Sequence, residues 1–355
     1  MKLAIDCRFI GKSGIGTFIE NVCHAFSHIP GNEYLLIGNA EKLSERFQSP
    51  CFNVSDCRIP PFSVGELWRF PTATINQCDA FFTPSYNIPM GIHVPIYAMI
   101  HDTVQLDLPQ IYAPWRRLLY KIGMKRALHL SRAIFTVSDF SRSRIKVHFT
   151  STCPIHVVSN GISSSLQAFQ TPHPRNNIPK DFIVYLGNLK PYKGLDTLLA
   201  AYQQARRQPT APQQLYIIGN IDFQTRDKGM ANLLQKGDIE GVQWICQADN
   251  ERIFDLIQRA KALIAPSRYE GFGLVPLEAM YLGTPAIISD IPAHREVYAG
   301  TPALFFKAGD AETLAYHLKH LPEQRINCRD FLSQRFDYKH TAKRILDVIH
   351  KEVSR

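Results

Sequence analysis

The sequence predicts an α/β protein built from two parallel-sheet domains, and three observations carry that prediction. Short apolar runs alternate with segments of helical period along nearly the whole chain. Each apolar run ends in glycine, proline or a polar residue, where a strand hands over to a loop. The alternation lapses once, between Ser163 and Lys180, in "SSSLQAFQTPHPRNNIPK", a stretch with three prolines and little periodicity, and then restarts. A length of 355 residues suits two such domains.

In chain order, LAIDCRFI (3–10) reads as the first strand, followed by a glycine-rich turn and a helix over Thr17–Ser27. YLLIG (34–38), AFFTP (80–84), IYAMIHD (96–102), AIFTVS (133–138) and IHVVSNG (155–161) read as further strands. After the lapse come FIVYLG (182–187), a helix from about Leu195, then QLYIIG (214–219), VQWIC (242–246), ALIAPS (262–267) and TPAIIS (284–289). The polar segment from about residue 330 reads as helical. The expected division is therefore 1–165, 166–330, and a C-terminal helix over 331–355 that can pack back on the first domain.

Composition narrows the function classes. Forty Lys and Arg against 31 Asp and Glu give a net charge of +9, which favours anionic partners such as nucleotide phosphates, nucleic acid or an anionic membrane. Eight scattered cysteines form no CxxC and no zinc spacing, so reduced thiols in the cytoplasm are expected, with no metal site. The start, MKLAIDCRFIG, is too briefly apolar for a signal peptide, and no run approaches the roughly 18 residues of a membrane span.

The most informative stretch is "PSRYEGFGLVPLEAM", Pro266 to Met280. ALIAPS is a buried strand, and Arg268 to Phe272 is the loop leaving it. Pro276 suits the first turn of a helix that begins near Leu274 or Val275 and stops at Gly283. Gly271 and Gly273 let backbone amides approach a ligand, and the helix start offers unpaired N–H donors to an anion. Glu278, about one turn inside, is placed to accept hydrogen bonds from a diol; Glu270 precedes the turn. A phosphate between a diol and a sugar describes a nucleotide-sugar. Taken singly, Glu278 as a dipole-complementing acid and Glu270 as a solvated loop residue explain the same positions.

The whole pattern, PS-x-x-E-G-F-G-L-x-x-x-E-A-M-x-x-G-x-P, resembles the signature of family 4 retaining glycosyltransferases, group 1 enzymes of the GT-B fold. In that fold two Rossmann-like parallel-sheet domains face each other across a cleft. The spacing Glu270-x7-Glu278 and the downstream "LGTPAIIS" both match. The resemblance extends over nearly the whole chain and is nearest to the mannosyltransferase-like branch of lipopolysaccharide and capsule assembly.

Other motifs acquire roles from it. Gly14-Ile15-Gly16, a poor dinucleotide fingerprint, resembles the family's "GIG" element, with Gly16 nearest the phosphates; a tight strand-to-helix turn is the alternative. His101 in "MIHDT" occupies the position of a histidine that contacts the donor sugar, with Asp102 orienting its loop. "YLGNLKPYKG" matches the element commonly written G-R-x-x-x-x-K-G: Lys193 holds the lysine place and Asn188 replaces the arginine. The diphosphate would then rest on Lys193 and the Gly271, Phe272, Gly273 and Leu274 amides, with Lys190 or Arg268 as further cations. Ser138 and Asn160-Gly161 are expected to shape the cleft, Asn-Gly serving equally well as a turn.

The resemblance implies a retaining hexosyltransferase that moves mannose or another hexose from a nucleotide-diphosphate sugar to a saccharide or lipid-linked saccharide. His101 and Glu270 would be catalytic, and Gly16, Asn188, Lys193, Gly271, Phe272, Gly273, Leu274 and Glu278 would bind the donor. No D-x-D triplet occurs, so neither a metal nor a cofactor is expected. A non-catalytic sugar-nucleotide-binding scaffold, a nucleotide-sugar epimerase and an NAD-dependent oxidoreductase are the rivals. Finally, Ala113–Ala133 reads as a helix with Arg117, Lys121 and Lys125 at four-residue spacing beside Trp115, Leu118, Leu119 and Ile122. It is either a solvated basic face or a docking face for the inner surface of an anionic membrane, with no nucleic-acid motif to favour that partner.

Overall fold

The computed structural model describes residues 1–12, 14–170, 181–219, 234, 237 and 239–353. It contains two parallel sheets, each in its own compact unit. The first unit comprises Met1–Pro109, Ala113–Ser163 and Phe336–Arg355; the second comprises Gln110–Tyr112 and Ser164–Arg335. Of the stretch read from sequence as a linker, Ser164–Ala168 is a short helix and residues 171–180 lie outside the described residues.

In the first unit the strands are β1 (Lys2–Asp6), β2 (Glu33–Gly38), β3 (Phe52–Asp56), β4 (Ala80–Thr83), β5 (Ile96–Met99), β6 (Ser131–Thr136) and β7 (Ile155–Val157). They run in the order β3-β2-β1-β4-β5-β6-β7, every pair parallel. The second unit has β8 (Phe182–Leu186), β9 (Gln214–Ile218), β10 (Val242–Ile245), β11 (Ala262–Ala265), β12 (Ala286–Ser289) and β13 (Leu304–Phe306) in the order β10-β9-β8-β11-β12-β13. These pairs are parallel too. Both sheets are thus doubly wound, with a switch point between β1 and β4 in one and between β8 and β11 in the other. Ligands of such sheets bind beyond the carboxyl ends of the strands at that point.

The central strands are apolar on both faces, as helices on both sides require. Leu3, Ala4 and Ile5 of β1, and Phe81 and Phe82 of β4, are fully buried, each large side chain contributing roughly 1.5–3 kcal/mol by leaving water. β3 and β13 went unrecognised in the sequence. β3 ends its sheet with mostly half-buried residues, and β13 has only three residues, so neither shows a sustained apolar run.

The segment read as one C-terminal helix is two. Arg329–Arg335 belongs to the second unit, whereas Tyr338–Val353 packs on the Gly14–Phe26 helix of the first. Gly161 makes room for that return: a Cβ there would lie 2.7 Å from the Tyr338 nitrogen. Its φ is not positive, so Asn160-Gly161 is a close-approach point and not a left-handed turn. Ser138 likewise has a local task, since its hydroxyl caps the Asp139–His148 helix by accepting the Ser141 N–H.

Beyond β1, Arg8 is buried between two carboxylates. It donates to both oxygens of Asp6 and to Glu66, and its guanidinium lies over the Phe70 ring at 4.5 Å. Glu66 also accepts the Asn87 side-chain amide and, at 2.7 Å, the N–H of Phe62. Phe62 is the sole non-glycine residue with positive φ among the described residues, at 62°. No disulfide joins any of the eight cysteines among the described residues.

Candidate functional site

In the second unit the loop after β8 and the loop after β11 meet, because these two strands are neighbours at the switch point. The contact is made through glycine. Gly194 has φ of 72°, and a Cβ there would overlap the Pro266 carbonyl. The Arg268 N–H bonds the Tyr192 carbonyl at 2.7 Å, closing one loop on the other.

This contact delivers Lys193 to Glu270. Lys193 ends a 3-10 turn, Pro191–Lys193, and its Nζ donates to Glu270 Oε1 at 2.6 Å. The Ser267 hydroxyl donates to the same oxygen at 2.7 Å. Burial pushes the Glu270 carboxyl up, but the Lys193 ammonium, His294 and the Ser267 hydroxyl outweigh it, and the net shift is downward. Glu270 is therefore held ionised, and Oε2 has no hydrogen bond among the described residues.

Glu278 behaves oppositely. It lies in the helix Leu274–Tyr281, where no hydrogen-bond or ion-pair partner reaches its carboxyl among the described residues, and burial alone pushes its pKa up to about 7. The helix starts where the sequence places it, capped by Gly273 with φ of 84°. Tyr298 ties the start down: its hydroxyl donates to the Gly273 carbonyl and accepts the Leu277 N–H at 3.1 Å. The N–H groups of Leu274 and Val275 have no acceptor among the described residues and remain able to meet an anion. Phe272 is buried and anchors the turn.

His294, Tyr298 and Ser267 were not singled out from sequence. His294 is fully buried on the short helix Pro292–Val297, with Nδ1 2.9 Å from the Ser289 carbonyl oxygen, so Nδ1 carries the proton. Nε2 has no hydrogen-bond partner among the described residues and lies 2.8 Å from where a Cβ of residue 273 would sit. Only the tertiary fold shows this, since "DIPAHREV" has no distinguishing pattern.

One expectation needs correction. Arg268, offered as a reserve cation for a diphosphate, is engaged elsewhere: its guanidinium forms a two-pronged pair with Asp196 at 2.9 and 2.6 Å and bonds Thr197. Lys193, expected to meet the diphosphate, is also the partner of Glu270. Asn188 is exposed, and its carbonyl accepts from the Lys190 N–H at 2.9 Å.

In the first unit, Gly16 lies in the first turn of the Gly14–Phe26 helix. A Cβ there would overlap the Phe9 carbonyl, which makes the glycine necessary for packing in its own right. His101 follows β5. Its Nε2 donates to the Pro84 carbonyl at 3.2 Å and its ring meets Phe18 edge-on, leaving Nδ1 as an acceptor. Burial, only partly opposed by the Pro84 bond, pushes its pKa down to about 4, so the imidazole is neutral at pH 7. Asp102 steadies the loop by accepting the Val104 N–H at 3.0 Å.

With this geometry in place, comparison with known proteins is decisive. Residues 169–336 match the family model described as "Glycosyl transferases group 1". The matched stretch is just under half of the 355 residues and nearly coincides with the second unit. Over 249 residues the chain is 27% identical to O-antigen chain mannosyltransferase B of Escherichia coli, covering 66% of this chain and 63% of that protein. It is 26% identical to GDP-mannose:cellobiosyl-diphosphopolyprenol alpha-mannosyltransferase of Xanthomonas oryzae pv. oryzae, over 55% of this chain and 52% of the relative. The matches thus span less than two thirds of these relatives' own length.

Solved structures match throughout. Sucrose-phosphate synthase from Thermosynechococcus elongatus superposes with a TM-score of 0.76 at 18% identity, over 100% of this chain and 99% of that one. The Anabaena HepE structure in complex with UDP-glucose gives 0.74 at 18% identity, over 99% and 100%. The chain has the GT-B fold.

Proposed function

We propose that the chain is a retaining glycosyltransferase. It moves mannose or another hexose from a nucleotide-diphosphate sugar to a hydroxyl of a saccharide or lipid-linked saccharide, in surface polysaccharide or glycoconjugate synthesis, without a metal ion. The observation that carries this reading is the Lys193–Glu270 pair at the β8/β11 switch point, beside a helix start with open N–H donors and with Glu278 in its second turn.

Each group has a task that suits its state. The Leu274 and Val275 amides and the Lys193 ammonium oppose negative charge gathering on the departing diphosphate. Glu270 is held ionised and offers Oε2 to hydroxyls of the donor sugar. Glu278 takes the ribose hydroxyls, and neutral His101 offers Nδ1 to a sugar hydroxyl. The bond from the anomeric carbon to the phosphate oxygen breaks with its electron pair going to the diphosphate. The acceptor oxygen bonds that carbon on the face being vacated and passes its proton to the departing phosphate.

The mannosyl donor follows the names of the two relatives above, and a diphosphate-lipid acceptor follows the second. The proposal accordingly puts the work in the cytoplasm at the inner face of the membrane. No helix among the described residues is long and apolar enough to cross it.

Calorimetric titration with GDP, UDP, dTDP and ADP, without added metal, tests the reading on wild type and on Glu278→Ala. Selective binding of one diphosphate, lost in the variant, is the expected result. Equal or absent binding of all four would overturn the nucleotide-sugar reading.

A further inference from the structure

We infer that the first unit carries a composite docking surface for an anionic lipid bilayer, built from two helices and the segment that joins them. The sequence pointed to one helix; the structure adds the other. The inference deepens the proposed function by naming where a lipid-linked acceptor is met. It rests on that reading for the acceptor, and not for the binding itself.

The apolar residues point the wrong way for an ordinary surface helix. On Pro114–Leu130, Trp115, Leu118, Leu119 and Ile122 are each more than half exposed, while the helix packs inward through Tyr120, Met124, Ala127 and Leu128. On Val64–Arg69, Val64 is 79% and Trp68 69% exposed. Eight of the thirteen large apolar residues exposed among the described residues fall at 62–68, 90 and 115–122. That concentration makes a patch and not the usual scatter.

Contacts within the unit hold the two helices side by side. The Tyr86 ring lies between them, 5.4 Å from the Phe62 ring and 4.7 Å from the Tyr120 ring. The Met90 N–H bonds the Leu67 carbonyl at 3.0 Å, and Arg126 donates to the Ile88 and Pro89 carbonyls. The segment 84–91 is thereby stitched to both helices. Both parts reach the His101 loop: Pro84 of the segment holds the imidazole, and the Tyr120 hydroxyl of the longer helix donates to the Asp102 carbonyl at 2.7 Å.

Charge names the occupant. Pro114–Leu130 contains five Lys and Arg residues and no acid. Lys121 and Lys125 are exposed and have no acidic partner among the described residues. The single acid of Val64–Arg69, Glu66, is buried against Arg8, so no carboxylate of either helix faces outward. Tryptophan and leucine beside unpaired lysines are the side chains that enter a headgroup layer of anionic lipid.

The test is co-sedimentation with vesicles of equal phosphatidylglycerol and phosphatidylcholine, and with phosphatidylcholine alone. The wild type is expected to bind the anionic vesicles at about 0.1 M salt, to be released near 1 M, and to ignore the neutral ones. Reversing both exposed lysines, Lys121→Glu with Lys125→Glu, should lower partitioning about tenfold or more with the thermal midpoint unchanged. In single-tryptophan variants, Trp68 and Trp115 should each shift emission to the blue on anionic vesicles, and half-buried Trp244 should not.

Wild type that stays in the supernatant, or binding indifferent to charge reversal, overturns the inference. A shift at Trp115 alone overturns the composite surface. A dimer that hides both tryptophans without lipid would give the face to a second copy of the chain. Diphosphate release by the same preparation reports the transferase reading separately, so either can fail alone.

Discussion

Lys193 Nζ and Glu270 Oε1 lie 2.6 Å apart although 77 residues separate them, because β8 and β11 are neighbours in the sheet and bring their loops together. Their side chains are 22% and 16% exposed, so each charge depends on the other. If they act as one device, the losses cannot be independent. Lys193→Ala and Glu270→Gln should each lower the transfer rate by about 10²–10³-fold at saturating donor, the size seen when one charge-stabilising donor is removed. The double variant should fall little further. Initial rates decide it: additive losses would mean two separate roles.

Glu278 supplies a pH dependence of opposite sign for folding and for binding. Its folded pKa, about 7, stands above the usual carboxylate value of 4.5, so the native state holds a proton the unfolded chain has lost. Stability from this group is present in acid and is lost as pH rises from about 4.5 through about 7. Glu278→Gln should therefore gain in thermal midpoint relative to wild type as pH goes from 5 to 8. Diphosphate binding should do the reverse, tightening for wild type across pH 6–8 as the carboxylate forms and staying weak and flat for the variant. Calorimetry at three pH values would expose a carboxyl that plays no part.

Gly273 and Gly194 should respond differently to alanine. At 273 the obstacle is the His294 side chain, 2.8 Å from the new Cβ; at 194 it is the Pro266 carbonyl. Both also carry the left-handed strain, of order 1–3 kcal/mol. Removing the imidazole in Gly273→Ala/His294→Ala should recover part of the stability lost by Gly273→Ala. No side-chain deletion should rescue Gly194→Ala. Denaturant midpoints for the set measure the coupling, and strict additivity at 273 and 294 would refute the contact.

The Arg8 network makes a fourth prediction. Replacing Arg8 with methionine leaves Asp6 and Glu66 buried without a cation, which costs about 3–5 kcal/mol near neutral pH. Burial raises the Glu66 pKa even beside Arg8, and losing the guanidinium raises it further. The variant's deficit should accordingly shrink as pH falls from 7 to 5, where the acids can take protons. A deficit independent of pH would point to lost packing on Phe70 instead.

The layout of both sheets was legible because central parallel strands, buried on both faces, leave unbroken apolar runs such as AFFT and ALIA. The turn at Gly273 and the helix after it were legible because glycine and proline mark them locally. Partnerships across loops were not. Nothing in "GNLKPYKG" says that Lys193 will meet Glu270, or in "SRYEG" that Arg268 will be claimed by Asp196, because sheet order decides both. His294 and Tyr298 were invisible for the same reason, their roles arising only where β12 delivers a short helix behind Gly273.

The first unit is interrupted in sequence and continuous in space. The Ile162 N–H bonds the Phe336 carbonyl at 2.9 Å, and Thr341 Oγ1 bonds the Ser159 carbonyl at 2.6 Å, so the two ends of the insertion 164–335 emerge at one point. During synthesis the first sheet must therefore wait for its last helix, Tyr338–Val353, for about 10–30 s of elongation while the second unit is made. The Gly14–Phe26 helix keeps the flank that Tyr338–Val353 covers open for that interval. The same closeness means that a short glycine bridge would suffice to join residue 163 to residue 336.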